Sequence, residues 1–171
     1  MKEIIDRVSI REYENKPIEE NKIRKMLLAG MVAPSARNQR AWEFLVCDDK
    51  ELLNEMANRC PNHRMAKDAA IAIIVLCNKT KVTTPLYVDQ DLSAATENIL
   101  LEATHLELGS VWLGVAPNEE RMNNLKEIFG LSDDYYAFSA ILIGYPKNKV
   151  FKDRKYDESL VHYNKLGNKY E

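Results

Sequence analysis

Three polar residues near the start of the chain have the types and the spacing to bind a phosphate group. Arg7, Ser9 and Arg11 alternate along the sequence, so in an extended segment their side chains point to one side. Guanidinium groups bind phosphate with charge and paired hydrogen bonds, and a serine hydroxyl can donate another hydrogen bond. Spacing alone favours a solvated basic edge, so this pattern is not specific for phosphate by itself.

A second candidate is the loop 33–41, which contains serine, asparagine and two arginines. Ser35 and Asn38 satisfy backbone groups in ordinary turns, and that explains the loop without any ligand. The functional interpretation is a loop that offers a hydroxyl and an amide to the edge of a planar ligand. Arg37 or Arg40 could meet the 2′-phosphate of NADPH, although solvent exposure alone is the favoured explanation of these arginines.

Familiar catalytic and metal-binding motifs are missing from the sequence. There is no G-x-S-x-G, no Walker loop, no G-x-G-x-x-G and no H-E-x-x-H. The histidines are dispersed, and we expect all of them on the surface or partly packed: His63, His105 and His162. The cysteines show no metal-like clustering, and we expect reduced thiols at Cys47, Cys60 and Cys77. Cys47 and Cys77 end apolar, strand-like runs, so we expect these two to pack in the core. We therefore predict no metal site and no acid–base catalytic residue.

Length and composition favour one globular domain spanning residues 1–171. The chain is 46% hydrophobic, and its net charge of −2 gives no basic excess for binding nucleic acid. The longest apolar run, Ala69 to Cys77, is far shorter than the roughly 20 residues of a membrane-spanning helix. The N-terminus is too acidic and too short for a signal peptide, so a cytoplasmic location is expected.

The remaining chain must position these candidates. Apolar residues at steps of three and four from Asp89 to Gly109 predict a long central helix, with Asp89 or Asp91 as its N-cap and Gly109 as its C-cap. This helix is also our candidate for a subunit interface. A short N-terminal helix is expected to direct Ile4 and Ile5 inward.

Seven further segments carry strand or helix signals. Strands are predicted at Trp42 to Cys47, Ala69 to Cys77 and Tyr135 to Tyr145, with another starting at Val111. Further helices are predicted after Pro17, after Asp48 or Asp49, and from Pro117-Asn118 to Gly130. This order predicts an α+β fold with a mixed sheet of about four to five strands flanked by helices. The tail 147–171 is interpreted as an extended arm.

Taken together, these segments resemble the FMN-dependent nitroreductase family, and its short, single-domain members in particular. The matching stretches are R-V-S-I-R-E-Y, A-P-S-A-R-N-Q-R-A-W-E-F-L-V, D-L-S-A-A-T-E-N-I-L-L-E-A with L-G-S-V-W-L-G, and I-G-Y-P followed by K-D-R-K-Y. They extend over almost the whole chain. The second and third are long enough to be specific, whereas R-x-S-x-R alone is not.

The resemblance implies a three-layer sandwich and a homodimer with FMN at the interface, embraced by exchanged C-terminal arms. It places Arg7, Ser9, Arg11 and Arg154 at the phosphate and ribityl chain. Another group matches the loop along the flavin: Pro34, Ser35, Ala36 and Asn38. Leu113 and Gly114 match the backbone near the redox-active edge of the flavin. Two departures stand out, Val8 in place of a basic residue and Arg40-Ala41 in place of Gln-Pro.

The implied activity is that of a flavoprotein oxidoreductase. NADH or NADPH would reduce FMN, and a nitroaromatic, quinone or similar electron-poor acceptor would then be reduced by a ping-pong mechanism. The alternative is an FMN-binding protein with a storage, sensing or interaction role and no useful turnover. Dehalogenation, azoline oxidation and flavin fragmentation remain open within the enzyme class, because similar folds perform them.

Overall fold

The structure of the chain is a computed structural model that describes residues 2–148, 150, 152–153 and 155–169. The helices are α1 (Lys2–Asp6), α2 (Glu20–Met31), α3 (Lys50–Arg59), α4 (Val88–His105) and α5 (Glu119–Phe129). The strands are β1 (Trp42–Cys47), β2 (Ile71–Asn78), β3 (Gly109–Gly114) and β4 (Tyr135–Gly144). Every helix and strand predicted from the sequence is present, with boundaries shifted by a few residues.

Local capping chemistry sets the ends of two helices as predicted. The carboxylate of Asp49 accepts hydrogen bonds from two backbone N–H groups in the first turn of α3. The side chain of Asn118 caps α5 in the same way, and Gly130 ends that helix in the left-handed conformation at φ 61°.

The central helix α4 ends earlier than the sequence indicates. It stops at His105, and Glu107 takes the left-handed conformation at φ 62° that was predicted for Gly109. The N–H of Leu108 then donates to the carbonyl of Ala103 at 2.9 Å, so the helix is already closed before Gly109. Gly109 instead opens β3, and the prediction of Gly109 as the C-cap is wrong. At the other end Tyr87 holds the N-cap position, so Asp89 and Asp91 both lie inside the first turn.

The four strands form one sheet in the order β1-β2-β4-β3, and all three pairings are antiparallel. The prediction of a mixed sheet is therefore wrong, although the number of strands lies in the predicted range. The only parallel pairing in the described chain is an isolated bridge between Ser9 and Ser110. β2 runs opposite to both β1 and β4, and β4 runs opposite to β3.

Alternate residues of the sheet face two separate cores, which makes the fold a sandwich of three layers. Ala72 and Ile74 pack with residues of α3 and α5, whereas Ile73 and Val75 pack with residues of α2 and α4. The central strand β2 is buried along its whole length. The long helix α4 contributes five buried apolar residues to the second core, as its apolar pattern predicts.

Two apolar regions remain exposed on the protomer. Ile4 and Ile5 of α1 face outward, so the prediction that they point into the core is wrong for this chain by itself. The described part of the C-terminal tail contains one short 3-10 segment, and Tyr156, Leu160 and Leu166 are exposed there. Among the described residues, no helix is long and apolar enough to cross a membrane.

Candidate functional site

The segment that follows α1 lies against the edge strand β3. Ser9 bridges Ser110, and the backbone N–H of Ile10 donates to the carbonyl of Ser110 at 2.9 Å. Ile10 is buried, while Ser9 and Arg11 on either side of it are exposed, so the predicted alternation is present. Ser9 and Arg11 line a cavity of about 240 Å³ together with Asn148, Val150 and Glu12. The structure thus brings these two predicted residues together.

Arg7 lies against the central helix. Its side chain is only 22% exposed, and its Nε lies 3.3 Å from Oε1 of Glu97 on α4. The charge of Arg7 is therefore held close to a carboxylate that would repel a phosphate. Arg154, the fourth residue predicted to contact the phosphate, lies outside the described residues.

The outer edge of β3 presents backbone groups in a regular order. The carbonyl of Ser110 points to the outer edge, because it accepts from Ile10, and the N–H of Val115 points inward to Phe138 of β4. Residues alternate along a strand, so the N–H groups of Trp112 and Gly114 also point to the outer edge. Leu113 is buried and, by the same alternation, its backbone groups point inward to β4, so the N–H of Gly114 is the part of this pair that a ligand could reach.

Gly114 leaves open space at the end of this edge. A Cβ atom built on Gly114 would meet no heavy atom within 4 Å. Its carbonyl accepts a hydrogen bond of 2.9 Å from the guanidinium of Arg121, so the backbone there is held in place. A planar group can therefore approach this backbone closely.

The loop between α2 and β1 has an unusual backbone. Arg37, Asn38 and Arg40 all have positive φ, at 51°, 55° and 46°. The left-handed conformation costs a non-glycine residue roughly 1–2 kcal/mol, and less for asparagine. Arg40 helps to hold this shape, because its N–H donates to the hydroxyl of Ser35 at 3.2 Å and its Nε to the amide oxygen of Asn38 at 2.7 Å. The arginine that departs from the family pattern thus bonds the side chains of both Ser35 and Asn38.

A buried carboxylate anchors the same loop to α4. Asp91 is 5% exposed, and its Oδ1 accepts from the backbone N–H of Ala36 at 2.8 Å. Its Oδ2 accepts from Nε2 of Gln39 at 2.6 Å. Sequence reasoning missed this anchor, because the partners are more than fifty residues apart. The one available signal was an acidic residue among the apolar positions at the start of the helix.

The two groups of predicted residues lie at different edges of the sheet. Ser9 and Gly114 lie along β3, and four residues of strand from Ser110 to Gly114 span roughly 13 Å. The loop leads into β1, which is separated from β3 by two strands and hence by roughly 14 Å. The chain by itself therefore places Ser9, Arg11 and the open backbone at Gly114 along one edge of the sheet, and the loop 33–41 at the other edge.

The histidines and cysteines lie as expected, with one exception. His105 and His162 are exposed, and burial raises the pKa of each cysteine thiol. His63 is fully buried, so its predicted place at or near the surface is wrong. Neither ring nitrogen has a hydrogen-bond partner in the described part of the chain. Burial, helped by the charge of Arg121, lowers the pKa of His63 to about 4.

Comparison with known proteins gives the family. The model of the nitroreductase family matches residues 4–76 and 57–145, which together make up most of the chain. The chain belongs to the nitroreductase family. A protein of Archaeoglobus fulgidus, provisionally named NADH dehydrogenase/NAD(P)H nitroreductase, is 42% identical over 96% of this chain and 97% of its own length.

Solved structures agree with this membership of the nitroreductase family. A structure named as an NADH oxidase of Clostridium acetobutylicum is 44% identical, with a TM-score of 0.91, over 95% of this chain and 99% of that one. A nitroreductase of Desulfovibrio desulfuricans in complex with FMN is 27% identical, with a TM-score of 0.82, over 96% of both chains.

Proposed function

We propose that this protein is an FMN-dependent oxidoreductase that uses NADH or NADPH to reduce an electron-poor small molecule such as a nitroaromatic or a quinone. The observation that supports it best is the outer edge of β3. Ser9 and Arg11 lie at one end of that edge, and the open backbone at Gly114 lies at the other. The relatives' names, which include nitroreductase, NAD(P)H and FMN, point the same way.

The residues of this edge fit an elongated ligand with a phosphate at one end and a flat ring system at the other. Arg7, Ser9 and Arg11 would hold the phosphate and ribityl chain, together with Arg154. The backbone of Leu113 and Gly114 would lie against the ring, where the open space at Gly114 admits a planar group. Glu97 and Glu12 lie near the cationic end, and we expect the arginines to exchange these carboxylates for phosphate oxygens.

The chain itself need supply only position and electrostatics. When bound, FMN accepts a hydride from reduced nicotinamide and later returns the two electrons to an acceptor, so no histidine or metal is required. An N–H of the β3 edge would donate a hydrogen bond to the ring system. Donor and acceptor would use the same open face in turn, and such sharing predicts ping-pong kinetics.

We further propose a homodimer in which residues 1–171 form one FMN-binding domain. Exposed apolar side chains are gathered on α1 and at the end of α2: Ile4, Ile5, Leu28, Met31 and Val32. A partner that buries them would gain roughly 25 cal/mol for each Å² of apolar surface. Pro34, Ser35, Ala36 and Asn38 would then reach the β3 edge of the other protomer, and the apolar residues of the tail 147–171 would lie on that protomer as an arm.

Steady-state kinetics test the proposed reaction. The FMN-loaded protein is assayed with NADH or NADPH at several fixed concentrations of a quinone acceptor. Parallel double-reciprocal lines are expected, and intersecting lines would contradict a shared face. A protein that binds FMN but fails to turn over with either nicotinamide would favour the storage or sensing role.

A further inference from the structure

Gln39 joins three separate segments of the chain. Its amide oxygen accepts hydrogen bonds from the backbone N–H groups of Thr83 and Thr84, at 3.0 and 2.9 Å. Its amide nitrogen donates to Oδ2 of Asp91 at 2.6 Å. The loop 34–41, the segment before α4 and the first turn of α4 are therefore linked through one side chain.

Asp91 completes this arrangement from the helix. One carboxylate oxygen receives the N–H of Ala36 and the other receives Gln39, so both oxygens are used. Asp91 lies in the first turn of α4, where the helix dipole favours a negative charge. The carboxylate is buried, so these hydrogen bonds are shielded from water.

The hydrogen bonds of Asp91 to Ala36 and Gln39 hold the part of the loop whose residues have positive φ. Residues 37, 38 and 40 have positive φ and would relax toward common conformations if the loop were released. The hydrogen bond to Ala36 lies on one side of them, and Gln39 lies among them. The pair therefore fixes the backbone that carries Ser35 and Asn38.

We propose that Asp91 and Gln39 are positioning residues that hold the loop 34–41 in its ligand-ready shape before FMN binds. This inference rests on the proposed function, because it assigns that loop to FMN binding. A loop ordered in advance loses less conformational entropy when the ligand arrives, so the pair acts on affinity without touching the ligand.

Exchanging the amide and the carboxylate between Gln39 and Asp91 tests this proposal. In the Gln39→Glu variant two carboxylates face each other, and in Asp91→Asn an amide replaces the charged acceptor. Each single change should weaken FMN binding about tenfold or more, because a charge-assisted hydrogen bond is lost or reversed. The double variant Gln39→Glu/Asp91→Asn restores a donor opposite an acceptor and should recover most of the affinity.

A matched control and a direct readout separate positioning from general stability. Asp89→Asn removes an exposed carboxylate from the same helical turn, where it accepts from the hydroxyl of Tyr136, and should leave FMN affinity unchanged. Amide hydrogen exchange of the apoprotein dimer reports on the loop without FMN. Faster exchange at Ala36, Thr83 and Thr84 is expected in each single variant and slow exchange in the double variant.

The two proposals fail in different ways. If the wild-type protein does not bind FMN, the proposed function fails, and the exchange rates still decide whether the pair holds the loop. If FMN binds but both single variants keep wild-type affinity, or if the double variant is as weak as the singles, the positioning role is wrong. Unchanged exchange at Ala36, Thr83 and Thr84 in Gln39→Glu would also overturn it.

Discussion

Arg7 and Glu97 form an ion pair that ties the N-terminal segment to the middle of α4, with 3.3 Å between Nε and Oε1. The arginine is mostly buried and the glutamate is half exposed. In our account this pair keeps Arg7 close to the phosphate end of the site, and binding of FMN exchanges the carboxylate for the phosphate.

We therefore expect Arg7→Ala to weaken FMN binding by about 1.5–3 kcal/mol, because a charge-assisted hydrogen bond is lost. Glu97→Gln should strengthen binding slightly, since it removes a repulsive charge. Fluorescence titration of the apoprotein with FMN measures both. The control is Arg24→Ala, which removes an exposed arginine paired with Glu20 on α2. Wild-type FMN affinity in Arg7→Ala would remove Arg7 from the site.

Gly114 gives a prediction about space. Gly114→Val should preserve the thermal unfolding midpoint, because a Cβ there meets no atom within 4 Å and valine suits a strand. The same side chain would occupy the room for the ring, so FMN affinity should fall about tenfold or more. The control variant Gly130→Ala should lower stability and leave FMN affinity intact. Alanine is strained in the left-handed conformation at φ 61°, so the free energy of unfolding should fall by about 1 kcal/mol. Unimpaired FMN binding by Gly114→Val would place the ring elsewhere.

The buried His63 predicts how stability depends on pH. The unfolded chain protonates this histidine as the pH falls through about 6.5, whereas the folded chain resists until about 4. Between these values the unfolded state binds more protons, so the free energy of unfolding decreases as the pH falls. From pH 7 to pH 5 this residue should cost about 2 kcal/mol.

Denaturant titrations at pH 7 and pH 5 measure this effect. The His63→Phe variant lacks the titrating ring, so the wild type should lose about 2 kcal/mol more than the variant over that interval. Arg121 carries the charge that acts on His63 and stays the same in both proteins. Equal losses in the two proteins would show that His63 does not control this range.

Much of the fold could be predicted because its signals are local. The start of α3 at Asp49 and the end of α5 at Gly130 depend only on neighbouring residues, and both are confirmed. The direction of the strands depends on how distant segments meet, and no local pattern contains it. Ile4 and Ile5 were predicted to point inward because an apolar residue indicates burial without saying which surface buries it.

In the candidate site, too, local features could be predicted from the sequence, whereas contacts between distant residues could not. The alternation of Ser9 and Arg11 about Ile10 was readable from their spacing. The link between Gln39 and Asp91 was not readable, since it joins residues more than fifty positions apart by side-chain contacts. The burial of His63 depends on tertiary packing, which a single histidine in a polar stretch does not reveal. The assignment of all these residues to FMN binding, including Ser9 and Arg11, remains a prediction.

The exposed apolar surface of α1 and α2 predicts the oligomeric state. Ile5→Glu should convert the dimer to monomers and weaken FMN binding, because a carboxylate buried in an apolar interface costs several kcal/mol. Leu86→Glu is the control, since Leu86 is equally apolar and is exposed on a different segment. Sedimentation velocity distinguishes the two variants. A wild-type protein that sediments as a monomer at micromolar concentration would contradict the dimer.

The visible absorption spectrum of the purified protein, recorded before and after anaerobic addition of NADH or NADPH, tests the central claim most directly. We predict a flavin spectrum that bleaches within seconds, which would establish both the cofactor and its reduction by nicotinamide. A colourless protein that also fails to take up added FMN would contradict the assignment of the β3 edge as a flavin site.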